Sequence, residues 1–106
     1  MNILETAMRL IAGAGDSKSY SMEAIMHAKN CSFEEARACM EKAKAAMIET
    51  HDAQVELIRR EIQGESQELT LLMVHAQDHL TSAMLMRDMA SEFIDLYERM
   101  SKNQGG

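Results

Sequence analysis

The 106-residue chain has no proline and no tryptophan, and its aromatic residues are two phenylalanines and two tyrosines. Without proline no backbone N–H is missing and no φ is locked, so nothing covalent stops a helix from running on. Without large rings, the core has to be filled by Leu, Ile, Met and Ala, a set that favours helices. Basic clusters are missing as well: 11 Lys and Arg stand against 17 Asp and Glu, a formal net charge of -6, which excludes the basic face a nucleic-acid binder needs. No apolar run approaches the ~20 residues of a membrane span, and no basic stretch leading into an apolar one opens the chain, so a soluble, cytoplasmic protein is expected. Cys31 and Cys39 lack the C-x-x-C spacing of zinc and redox motifs and read as free thiols of a reducing compartment.

What is present is 46% hydrophobic residues in a length that fits one small domain, with room for only a thin core if it stays monomeric. Eleven methionines raise the thought of a soft-metal site or an adaptable groove, but most fall at helical spacing, which points to core or interface packing. Glycine and capping residues divide the chain into three helices, at about 3–30, 32–63 and 70–100, with a frayed tail over 101–106. Leu4, Met8, Ile11, Gly15, Lys18, Met22 and Ile25 recur at four-three spacing in the first; Gly13 and Gly15 imply either a bend there or a neighbour packed against bare backbone. Ser32 with Glu35 has the form of a capping box for the second, which carries Phe33, Ala36, Met40, Ala43, Met47, Leu57 and Ile58 and stops at Gly64. Short connections make neighbours antiparallel, so the expected fold is an all-α, antiparallel three-helix up-down-up bundle.

Helix 3 carries apolar residues on more than one side, among them Leu71, Leu72, Met73, Val74, Leu80, Leu85, Met89 and Phe93. A helix apolar nearly all round is buried nearly all round, which three helices cannot supply, so self-association follows. Within that helix His75, Asp78 and His79 project from one face at about 100° per residue, Ser82 extends the face, and Gln77 points to the other flank. Two histidines at i and i+4 with an aspartate suit a metal, but Ala76 stands where a metalloprotease helix has glutamate, and no Glu-x-x-His pair of the di-iron type is present. A nucleophilic imidazole is the other reading: its nitrogen lone pair can attack phosphorus and form a phosphoramidate that is passed on again. His27 and His51, each alone, read as satisfied surface or core residues. For His75, Asp78 and His79 that bland reading is weaker, because burying such groups in an apolar helix is costly unless each is paired.

The run His75 to Leu80 resembles the signature of the IIA subunits of the bacterial sugar phosphotransferase system, lactose and cellobiose family. The similarity extends through Ala14-Gly15-Asp16, Glu23-Ala24-Ile25, Phe33-Glu34-Glu35-Ala36, His51, Gln54, Glu56-Leu57-Ile58 and Gly64-Glu65, in order. Ser17 and Lys18 stand where the family often has Ala and Arg, Val55 where it often has Thr, and Thr81 where it often has Met. The resemblance implies a homotrimer of three-helix hairpins. It implies that His75 accepts a phosphoryl group on its tele nitrogen from phospho-HPr and passes it to a cysteine of the cognate IIB subunit, during uptake of a β-linked disaccharide, cellobiose or chitobiose rather than lactose. It matches Asp78 to an aspartate that shares one divalent ion, Mg²⁺, among the three subunits on the threefold axis. The absence of a Gly-rich phosphate loop agrees with a phosphoprotein, not ATP, as donor. Helix carbonyls are already engaged, so a side chain or a neighbouring subunit has to orient His75, and His79 and Gln77 are the candidates. The alternative is a trimeric helical metal-binding or interaction module without phosphoryl transfer.

Overall fold

Asn2 starts the first helix: its side-chain oxygen accepts the Glu5 backbone N–H at 3.1 Å, and α1 then runs Ile3–Lys29. The computed structural model describes residues 2–65 and 68–104. At the far end of α1, Cys31 takes a left-handed φ of 60°, so that its N–H reaches the Ala28 carbonyl at 3.0 Å and the Ser32 N–H reaches that of His27 at 2.9 Å. The second helix, α2, spans Phe33–Ile62 and ends in the same pattern with a glycine: Gly64 at φ 92°, its N–H on Glu61 and that of Glu65 on Arg60. Thr70 caps the third, α3 over Leu71–Gln104, by accepting the Met73 N–H at 3.0 Å.

Two expectations need correction here. Ser32 stands at the N-cap of α2 but makes no side-chain capping bond; its ψ of 68° departs from the extended geometry that aims a cap hydroxyl at the first turn. The tail is helical through Gln104, beyond the expected end near residue 100. Ser101 is half-buried where the Cys31 thiol meets its hydroxyl at 3.9 Å, and Lys102 suits the negative end of the helix. Gly105 and Gly106 lie outside the described residues.

Cross-helix bonds fix the topology. Ser17 donates to the Ala43 carbonyl at 3.0 Å while Gly13 lies against Thr50, and Gln54 donates to Gln77 at 2.6 Å while Arg37 pairs with Glu98, so α2 runs against both α1 and α3. Leu10 clusters with Met73 and Ala76, and Ala24 and Ala28 with Ile94, so α1 and α3 run together. The result is an up-down-up bundle of 60 × 20 × 19 Å with α1 packed extensively on both neighbours and α2 touching α3 far less. Its interior is built from small residues: Ala7, Ala14, Ser17, Ser21, Ala24 and Ala28 of α1 face Ala36 and Ala43 of α2 and Ala76, Ala83 and Ala90 of α3, with Leu10 and Leu80 the largest fully enclosed side chains. The four-three stripe expected to lead α1 is rotated one residue from this face, and Leu4, Met8 and Met22 are more than half exposed. Short side chains let the helices approach, and the close approach, rather than side-chain volume, selects the inner face.

Gly13 belongs to that approach. The helix passes it without a break, and a Cβ there would overlap the Thr50 hydroxyl, which is itself held by donating to the Ala46 carbonyl at 2.7 Å. Gly15 has open space beside it. Among the described residues no helix is long and apolar enough to cross a membrane.

Candidate functional site

Capping at Thr70 sets the phase of α3 so that His75, in its second turn, is exposed, and His79, one turn on, is half-buried against α1. The two rings meet edge to face, with centroids 4.4 Å apart and planes at 89°, and the Nε2 atoms are 3.0 Å apart. On the other side of His79, Lys18 Nζ lies 3.3 Å from Nδ1. An ammonium has only hydrogens to offer, so Nδ1 of His79 accepts, and the ring's own proton resides on Nε2. That N–H donates to His75 Nε2, which therefore holds a lone pair, with the His75 proton on Nδ1. Burial first, then the charges of Lys18 and His75, push the His79 pKa below the ordinary imidazole value, Asp78 pulling weakly the other way. The neutral ring that this relay requires is the favoured one.

His79 thus touches His75 as expected, but at Nε2 itself rather than at the nitrogen behind it. Gln77 is not brought to His75: its carbonyl takes the Gln54 amide at 2.6 Å and its own amide points at Met73 Sδ, 3.6 Å away, inside the bundle. Ser82 turns its hydroxyl back to the His79 carbonyl at 3.1 Å. In the sequence Lys18 has a place in the helix-1 repeat and stands where the family often has Arg, but it is given no role at the site. The available signal was a lysine where that repeat otherwise holds apolar residues.

Asp78 points away from the bundle. It is exposed on the outward side of α3, at helical spacing with Leu71, Val74, Leu85, Met89 and Leu96, whose exposure runs from 42% for Val74 to 86% for Leu71. Within one chain Asp78 belongs to no group of three ligand donors among the described residues. Beside His75, Leu71 and Leu72 line an open apolar hollow. The arrangement is an exposed nucleophilic nitrogen next to an apolar landing area, with an N–H donor aimed at whatever is attached to that nitrogen.

Comparison with known proteins points to one family. Residues 5–98 match the family model described as PTS system, lactose/cellobiose specific IIA subunit. The lichenan-specific phosphotransferase enzyme IIA component of Bacillus subtilis (strain 168) is 46% identical over 97 residues, 92% of this chain and 88% of the relative. The N,N'-diacetylchitobiose-specific EIIA component of Escherichia coli (strain K12) is 35% identical over 96 residues, 91% of this chain and 83% of the relative. Among solved structures, the PTS cellobiose-specific enzyme IIA of Bacillus anthracis superimposes with a TM-score of 0.92 at 41% identity, covering 96% of this chain and 94% of that one. The IIA(chitobiose)-HPr complex of Escherichia coli gives 0.83 at 33% identity, over 95% and 98%.

Proposed function

Since the chain belongs to the lactose/cellobiose IIA family of the sugar phosphotransferase system, and is thereby a phosphotransferase component, we propose that His75 carries the phosphoryl group, taking it from phospho-HPr and giving it to the cysteine of a cognate IIB subunit. The observation that carries this reading is the Lys18–His79–His75 relay, which leaves the lone pair on the exposed Nε2. The lone pair forms the new N–P bond as the donor's P–N bond breaks. The His79 N–H, displaced from that lone pair, then has a phosphoryl oxygen to donate to, and return of the bond to Nε2 accompanies release to the acceptor thiolate. HPr as donor is supported by the related IIA(chitobiose) solved in complex with it. The 46% and 41% identities to relatives named for lichenan and cellobiose, against 35% to relatives named for chitobiose and for lactose alike, favour a β-linked disaccharide of the cellobiose type as the sugar imported.

The working form in this reading is a homotrimer. The outward stripe of α3 would become its central seam, with Asp78 of each chain on the axis. One carboxylate per chain in an otherwise apolar stripe fits a shared, oxygen-liganded Mg²⁺: three carboxylates brought together repel in low dielectric, and a divalent ion held by the three Asp78 side chains supplies the neutralising charge. His75, about 60° round the helix from Asp78, would lie at the outer edge of that seam, open to partners.

Incubation with phospho-HPr tests the carrier reading. The parent chain takes up phosphate and His75→Ala takes up none. Equal uptake by the two rejects it, in favour of a helical module without phosphoryl transfer. Asp78→Leu keeps or tightens the trimer and removes any metal dependence, whereas a stable monomer of the parent by light scattering rejects the shared-ion arrangement.

A further inference from the structure

Next to the α1–α2 turn, Glu23 and His27 stand one turn apart on α1 and meet Cys39 of α2. One carboxylate oxygen, one imidazole nitrogen and the sulfur all lie within 4.8 Å of one another, the only such trio among the described residues. We propose that these three side chains bind a borderline-soft divalent cation of the zinc class, with water as the fourth ligand, and that the ion staples α1 to α2 independently of His75 and Asp78.

Zinc takes sulfur at about 2.3 Å and nitrogen or oxygen at about 2.0–2.2 Å in a tetrahedron, so ligand atoms sit roughly 3.3–3.6 Å apart. Glu23 Oε1 and His27 Nε2 are already 3.9 Å apart, since i and i+4 share a helix face, and with all three atoms within 4.8 Å no edge has to close by more than about 1.5 Å. The nearby turn holds the two helices in register, so the thiol is presented to this pair by the fold. Cys39 is 7% exposed and packs with Ala24, Ala28, Ala36 and Ile94, giving the sulfur a dry floor. Glu23 and His27 are partly exposed and form the entrance. A thiolate with an imidazole selects zinc-class ions over Mg²⁺ and Ca²⁺, which prefer all-oxygen sets.

Two things oppose the ion. Burial first, and then the Glu23 charge, push the Cys39 thiol up, which the cation has to overcome to take the sulfur as thiolate. The Lys42 ammonium, 5.7 Å over the Tyr20 ring, repels a cation nearby, but its side chain is exposed and can swing outward. The cation takes the sulfur as thiolate, and the displaced thiol proton goes to solvent.

Cobalt(II) titrated into the full chain provides the test, because a sulfur-to-cobalt charge-transfer band in the near ultraviolet arises from a cysteine ligand and cannot come from His75 and His79. The band is expected in the parent, in Cys31→Ser and in His75→Ala, and is lost in Cys39→Ser. His27→Ala, at a partly exposed position that does not threaten folding, lowers cobalt affinity about tenfold or more. Zinc displaces the cobalt and Mg²⁺ does not; in Asp78→Leu, which lacks the axial carboxylates, zinc still raises Tm and Mg²⁺ leaves it unchanged. No band in the parent, a band that survives Cys39→Ser or disappears with Cys31→Ser, or unchanged affinity in His27→Ala overturns the proposal.

Discussion

Ala83 and Leu85 stand two residues apart on α3 and face nearly opposite ways. Ala83 is fully enclosed between helices, and Leu85 is 62% exposed. The same inversion holds along the helix: alanines at 76, 83 and 90 point in, while Leu71, Leu85, Met89 and Leu96 point out. A monomer that was the final product would place its bulk the other way round, because each large apolar side chain left in water forgoes about 1.5–3 kcal/mol. The inner face is shaped for close approach of three helices. The outer face holds the hydrophobic area that the proposed trimer would bury.

The contrast can be broken most severely from outside. Leu85→Glu with Met89→Glu puts two carboxylates into the stripe, where burying unpaired charge costs several kcal/mol per ion, so assembly should weaken by about a hundredfold or more. Sedimentation would read this as a monomer at concentrations where the parent is larger, and an unchanged mass would remove the stripe from the interface. On the inner side, Ala83→Leu overfills a closed contact and should cost about 1–3 kcal/mol of unfolding free energy. Leu85→Ala in the dissociated chain should stay within about 0.5 kcal/mol of neutral; denaturant unfolding compares the two.

Lys18 sits where the two kinds of face meet on α1. Lys18→Met removes one of the influences that hold the His79 pKa down, so an NMR titration should show its midpoint rising toward the ordinary value. Burial remains the larger cause, and part of the depression should survive. A midpoint that does not move would separate Lys18 from the relay.

The smallest effect lies off both faces. Glu56 is held at about 2 by hydrogen bonds from Arg59 first and Arg60 second. What it contributes is present above the ordinary carboxylate value of 4.5 and is lost as pH falls toward 2. Glu56→Gln should flatten that acid limb in circular dichroism and leave assembly untouched.

Three helices were legible in the sequence because their ends are written locally, in Thr70, Gly64 and the break near Asn30 to Ser32. The inward side of α1 was not, since a repeat of large residues is the stronger signal in a linear reading and alanine or serine at 7, 14, 17, 21 and 24 carries little hydropathy of its own. His75, Asp78 and His79 stood out because they are neighbours on one helix. Lys18 did not, being 61 residues from the ring it touches. Cys39 was discounted on its spacing from Cys31, a criterion blind to Glu23 and His27, which only the α1–α2 pairing brings to it.

The missing side chain at Gly13 reaches further than its own neighbourhood. With the Thr50 hydroxyl tied to Ala46, even a methyl group at position 13 would have to pry α2 from α1, and a rigid helix would pass that displacement five residues along to the lysine that sets the proton on His79. Gly13→Ala would then slow phosphate uptake without touching any atom that handles phosphate, and the spacing of two backbones would become a control on rate.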